Sequence, residues 1–397
     1  MLYFLFYTYL IVIIYLIFYH SKNGTLYIFS PLIIIYTNFA VNDIIPLLIL
    51  ENAEPITNNV YTVTAITSII NLLFLFLFRR QLKKKIGIKI EPITEKLSAQ
   101  RKVLITILLS IEIAYGFLTG VTPVLLSGGD VSYLRKTNEI GLGFINSIPQ
   151  TGWPILILVL LLVEKRKKLI YKGIVCFFSG IIFYISTAAR GGILTFFNIF
   201  IIWFNIQKRG LKWYEYLSIY YIIGPIVATI TQLIRNAKEI NQVWIEFFAH
   251  QLNIYHWNTI PLMRHFETAK HLMGESYYTA LVRIIPRFIW PDKPLSIDYK
   301  YKEILGYDVP GGIYTSTPCE MYINFGLYFI IPYCVYLFLI HKMYSKLISP
   351  RSSFFFKICL LYLLTLKFIP NNLIEGLEIL LLFTFLCIIF YRRKNVF

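Results

Sequence analysis

The sequence predicts an all-α integral membrane protein of about eleven transmembrane helices with one large extracytoplasmic loop. Three observations lead there. Of 397 residues, 57% are hydrophobic and 15% are charged, whereas soluble domains are about half apolar and a quarter charged. Apolar runs of the roughly 17 to 25 residues that cross a bilayer recur from Leu2 to Tyr391. The positive charge is distributed by loop, which also explains the net charge of +17 without a nucleic-acid partner.

Nine of the 38 Lys and Arg fall between Arg79 and Lys102, five between Glu164 and Lys172, and three each in Gln207 to Lys212, His341 to Arg351 and Arg392 to Lys394. Those loops alternate with acid-balanced ones. The segment 235–318 carries nine basic against eight acidic residues, so the positive-inside rule places it away from the cytoplasm. The chain therefore reads as one polytopic membrane domain, 1–397, with loop 235–318 inserted between its eighth and ninth spans.

The spans follow in order. The first, Leu2 to Tyr19, lacks a basic leader and a small-residue cleavage site, and is expected to be a retained helix with its N-terminus outside. The second and third cover Ser30 to Leu50, with a kink expected at Pro31 or Pro46, and Val60 to Phe78. The fourth is Val103 to Leu126; the fifth, Trp153 to Val163, has Pro154 in its first turn. The sixth and seventh, Gly173 to Ala188 and Ile193 to Ile206, leave Ser186 to Gly192 as a tight outer turn. The eighth is Tyr216 to Ile234, the ninth runs from near Glu320 to Ile340, and Phe354 to Ile369 and Leu373 to Tyr391 complete the set, with the C-terminus cytoplasmic.

In the long loop, Trp244, Phe247, Phe248, Leu252 and Tyr255 recur at helical spacing, so Asn241 to Met273 is expected to be amphipathic. Pro286, Pro291, Pro294, Pro310 and Pro318, with Gly311 and Gly312, predict an irregular second half.

Absent motifs narrow the chemistry. No GxxxxGK[ST], GxGxxG, DxD or HExxH pattern occurs. His250, His256, His265 and His271 are spaced by six, nine and six residues, which does not stack ligands on one helix face. The five cysteines form no CxxC pair. Neither metal nor cofactor is expected.

What remains is a set of cations on the outer side: Arg190, Arg235, Arg264, Arg283, Arg287 and Lys293. A guanidinium fork can hold a diphosphate and stabilise it as a leaving group. Arg190 precedes Gly191 and Gly192, where a ligand can approach the backbone; it also reads as a snorkelling interface residue. Arg287 lies between Pro286 and the run Trp290-Pro291-Asp292-Lys293-Pro294, with an ion pair to Asp292 as the plain alternative. Arg264, Glu267 and His271 fall at i, i+3 and i+7, where a carboxylate or imidazole could take a proton from a sugar hydroxyl, although a salt bridge explains the first two equally. Glu320 is a second candidate base, His265 a candidate sugar contact, and Glu112, Lys357 and Lys367 the candidate charges within the membrane.

Three stretches carry a family resemblance. Ser186-Thr187-Ala188-Ala189-Arg190-Gly191-Gly192 resembles the Ser/Thr-x-x-Arg-Gly turn of O-antigen and capsular repeat-unit polymerases of the Wzy type. Arg283 to Pro294 is similar to their outer-loop motif, and Ser316-Thr317-Pro318-Cys319-Glu320-Met321-Tyr322-Ile323-Asn324-Phe325-Gly326 to their T-P-x-E-x-Y-x-N-x-G run, with Cys319 where many relatives carry glycine or alanine. The resemblance implies a membrane-embedded glycosyltransferase-like bundle in the inner membrane of a bacterium. It implies inverting, metal-independent transfer of a chain from undecaprenyl diphosphate to an incoming lipid-linked repeat. Arg190 and Arg287 would bind diphosphate, Arg264 or Arg283 would assist, and a chain-length regulator would be a partner. A ligase of the same architecture, a lipid-linked oligosaccharide flippase and a structural envelope subunit remain as rival readings; the flippase should show internal repeats, of which there are none.

Overall fold

The computed structural model describes residues 1–22, 31–50, 56–83, 169–187, 258–283, 289–295, 297–306 and 315–347, with scattered single residues between them. The described residues contain no strand. Three helical stretches are long and apolar enough to cross a membrane: Leu2–Tyr19, Asn58–Leu77 and Thr317–Leu347.

The elements are α1 (Leu2–Lys22), α2 (Pro31–Phe39), a π-turn (Ala40–Ile44), α3 (Ile45–Leu50), α4 (Asn58–Leu77), α5 (Arg79–Lys83), α6 (Leu169–Thr187), α7 (Glu275–Arg283), α8 (Ile297–Leu305), α9 (Thr317–Phe325) and α10 (Ile330–Leu347). The second span is thus helical from Pro31 to Leu50, about 30 Å at 1.5 Å per residue. Its irregularity is the π-turn Ala40–Ile44, which lies directly before Pro46, an interior proline that cannot donate to the carbonyl four residues back, whereas Pro31 opens the helix, where a missing N–H costs little. The helical stretch expected as the ninth span runs from Thr317 to Leu347, longer at both ends than hydropathy suggests.

α4 shows why these helices belong in lipid. Its buried face is Val60, Val63, Thr64, Thr67, Ser68, Asn71, Phe74 and Leu75, while Ile69, Leu73, Phe76 and Leu77 are exposed. Polar residues face the bundle and large apolar ones face outward, the reverse of a soluble amphipathic helix. Small hydroxyl residues along the buried stripe let neighbours approach closely, since lipid tails offer no hydrophobic incentive for helices to associate.

Hydrogen bonds lace α1, α2, α4, α5 and α10 together. Asn71 Nδ2 donates to Tyr9 Oη at 3.3 Å and its Oδ1 accepts from Tyr333 Oη at 2.8 Å. Tyr9 Oη donates to the Tyr36 carbonyl at 3.1 Å, and Tyr36 Oη meets His341 Nε2 at 2.7 Å. His341 Nδ1 meets Gln81 Oε1 at 3.1 Å, and Gln81 Nε2 donates to Ser345 Oγ at 2.6 Å. The His341 ring stacks on Phe78 with centroids 4.2 Å apart. These ties fix direction. Asn71 pairs with Tyr333 and Gln81 with Ser345, so α4 and α10 run the same way. Tyr36 pairs with His341, the twelfth residue of α10, while Asp43 on the following π-turn lies against Ser316 just before α9, so the helix Pro31 to Leu50 runs opposite to α9 and α10. Arg79, Arg80, Lys342 and Lys346 consequently share one end.

Near α6, the buried Lys172 donates to the Leu161 carbonyl at 2.7 Å and lies 4.4 Å from the centre of the Trp203 ring. Leu262, Phe266, Leu272, Ile297, Tyr301 and Ile313 form a smaller apolar core, closed by Ile323 of α9. The half expected to be irregular contains two nine-residue helices, α7 ahead of Pro286 and α8 between Pro294 and Pro310.

Candidate functional site

The site is built on α9. Ser316, with φ −68° and ψ 152°, precedes a first turn containing Pro318, whose missing N–H would have no helical partner there in any case. Thr317 to Asn324 are all buried, and the acid of that first turn, Glu320, is 8% exposed. An acid there complements the helix dipole. The helix ends at Gly326, whose φ of 58° and ψ of −142° is a conformation reserved in practice for glycine.

The segment 271–276 is clamped to the end of this helix. Leu272 N donates to the Ile323 carbonyl at 3.1 Å and Met273 N to the Asn324 carbonyl at 2.8 Å. Asn324, fully buried, donates through Nδ2 to Ser276 Oγ at 2.7 Å and to the Glu320 carbonyl at 2.8 Å, and its Oδ1 accepts from Ser276 N at 3.4 Å. His271 Nδ1 meets the Ile323 carbonyl at 3.3 Å; its ring lies parallel to Phe266 and edge-on to Tyr322. Met273 and Gly274 take φ of 49° and 90° to turn the chain into α7. Lys300 of α8 pairs with Glu275 of α7. A Cβ on Gly326 would lie 2.7 Å from His271 Nε2, so the glycine also makes room for the imidazole.

Tyr277 stacks on Phe325 with ring centroids 5.9 Å apart. Burial, and secondarily the Glu320 carboxylate, push its phenol well above the ordinary range, so it remains a neutral donor beside that acid.

Glu320, Tyr277, Ser276 and Asn324 come together here. Arg264 and His265 lie on the exposed side of the helical residues 258–268, whose Leu262, Met263 and Phe266 are buried. Glu267 is exposed on the same helix, but His271 is not on its face: the helix stops at Thr268 and the chain bends back toward Ile323. Arg283 is the last residue of α7. Lys293 Nζ donates to the Ile285 carbonyl at 2.6 Å, bridging the proline-rich turn. Arg190, Arg235 and Arg287 lie outside the described residues, as do Glu112, His250 and His256. Sequence reasoning passed over Ser276 and Tyr277, which carry no motif, and Asp43, a lone acid in an apolar run that hydropathy absorbs. Among the described residues no group of three His, Cys, Asp or Glu could hold a metal ion.

Chemically, a nearly buried carboxylate flanked by a neutral phenol and held by a rigid clamp can orient and deprotonate a hydroxyl that reaches it. No family model, no curated protein and no solved structure matches the chain.

Proposed function

We propose that this chain is a multi-pass polymerase of the bacterial inner membrane that joins undecaprenyl-diphosphate-linked oligosaccharide repeats into O-antigen or capsular polysaccharide on the outer face. The observation that carries the reading is the clamp. The run resembling the polymerase motif, Thr317 to Gly326, is where loop residues 271–276 fasten to the bundle, and Glu320 sits at that junction. The basic ends of α5 and α10 lie together at the other end, in keeping with the positive-inside rule and with a loop facing outward. The shared direction of the third and ninth spans accords with an odd number of crossings between them, the five that an eleven-span reading puts there.

In this mechanism the acceptor hydroxyl attacks the anomeric carbon of the donor chain while the bond from that carbon to the diphosphate breaks, inverting the centre. Glu320 takes the hydroxyl proton, with Tyr277 donating a hydrogen bond beside it. Arg190 and Arg287, assisted by Arg264 or Arg283, hold the departing diphosphate, and Arg235, Lys293 and His265 line the approach. Paired guanidinium groups supply the charge stabilisation that metal ions provide elsewhere. No cofactor enters, and a chain-length regulator would act as a partner.

The test is the surface-glycan ladder from cells lacking the protein, complemented with wild type, Glu320→Gln or Arg190→Ala at equal expression. Single-repeat glycans in the deletion and in both variants support the proposal. Full-length polymer that stays on the lipid carrier points to a ligase, and a normal ladder in the deletion refutes polymerisation.

A further inference from the structure

The helix Pro31 to Leu50 carries an acid, Asp43, beside which no cation lies among the described residues. Asp43 is 3% exposed and lies in the π-turn Ala40–Ile44, a swelling of the helix that recurs at functional sites. Ser316, just before α9, is the side chain placed to hydrogen-bond it, and Cys319 on α9 and Tyr9 on α1 lie within electrostatic reach. These neighbours carry no positive charge. Nevertheless Asp43 Oδ2 and Ser316 Oγ, both buried, complete no hydrogen bond among the described residues. Ser316 precedes α9 and makes no side-chain cap to its own helix. Two orphaned oxygens thus face each other across a helix seam, at the end of the bundle where Glu320 lies.

An ionised carboxylate inside an apolar bundle costs several kcal/mol unless a cation accompanies it. A carboxylate and a hydroxyl are hard oxygen donors, suited to a proton or a small alkali ion and unsuited to soft metals. We propose that Asp43 and Ser316 form a monovalent-cation site, taking a proton or a sodium-sized ion, between the π-turn and the first turn of α9. Occupancy neutralises Asp43 and lets Ser316 complete its hydrogen bonding. Loss of the cation leaves a bare carboxylate beside the first turn of the helix bearing Glu320, so occupancy adjusts how that turn is seated. The site stands independently of the polymerase reading, because its chemistry rests on Asp43 and Ser316 alone.

Infrared spectroscopy of the full chain in lipid nanodiscs tests it. In choline buffer at neutral pH, wild type should show the carbonyl stretch of one buried protonated carboxyl that Asp43→Asn loses and Glu320→Gln keeps. Ser316→Ala should retain that band but shift it, which also guards against misfolding of the Asp43 variant. Added sodium that abolishes the band identifies the alkali ion as occupant, and a band that persists identifies the proton. If choline buffer yields no Asp43-dependent protonated band, or Ser316→Ala leaves the band unmoved, the proposed site is wrong.

Discussion

Gly326→Ala concentrates the strain of the clamp in one methyl group. The backbone there holds φ 58° and ψ −142°, which costs a non-glycine residue about 1–3 kcal/mol. The new Cβ would also come within 2.7 Å of His271 Nε2 and 3.1 Å of its Cδ2. That ring cannot simply swing aside, because it is held by Phe266, Tyr322 and the Ile323 carbonyl. Displacing it forfeits a hydrogen bond of about 0.5–1.5 kcal/mol, so the whole substitution should cost about 2–4 kcal/mol. Thermal unfolding of purified protein in detergent, followed by proteolysis of the loop, reads the effect. In a His271→Ala background the steric part vanishes while the backbone part stays, so Gly326→Ala should cost about 1 kcal/mol less there than in wild type. Equal costs in both backgrounds, or no loss in either, would refute the geometry of the clamp.

Asn324→Ala and Ser276→Ala should each destabilise the loop, and the double mutant should show a coupling of about 1–3 kcal/mol, since both partners are fully buried; strict additivity would show that they do not interact. Asn71→Leu should weaken the bundle by about 1–2 kcal/mol by removing both the Tyr9 and Tyr333 bonds, measured by denaturation in mixed micelles. Lys300→Met should cost under about 1 kcal/mol, because both members of the pair with Glu275 are 41% exposed, and a loss that is large and insensitive to salt would contradict this.

The membrane bundle was legible where hydropathy alone decides. The starts of the first three helices, Leu2, Pro31 and Asn58, fall within two residues of the starts expected for the first three spans, since outward-facing apolar residues such as Phe4, Ile69 and Phe76 dominate the pattern. The π-turn was not read from the sequence, although Asn42 and Asp43 are weak helix formers and Pro46, two residues beyond the turn, cannot donate to the Asn42 carbonyl. Asp43 went unnoticed beside Ile44 and Ile45, although a single acid in an apolar run is itself the signal. In the loop, prolines were read as breakers across whole stretches, yet nine residues between them suffice for a helix once Ile297 and Tyr301 have a core to join. The spacing from Arg264 to His271 suggested one helix face. The positive φ of Met273 and Gly274 and the bond from His271 to Ile323 are tertiary features that spacing does not encode. The run from Thr317 to Gly326 shows the reverse: its motif was visible, and the structure explains Asn324 and Gly326 as parts of a clamp.

The most direct measurement of the central claim is elongation by the purified protein in liposomes, given a defined undecaprenyl-diphosphate-linked repeat and a chelator. The account predicts products of two or more repeats with one undecaprenyl diphosphate released per bond, and their loss in Glu320→Gln at unchanged thermal stability. A substrate that remains a single repeat with the wild-type protein, or crosses the bilayer unaltered, would contradict it.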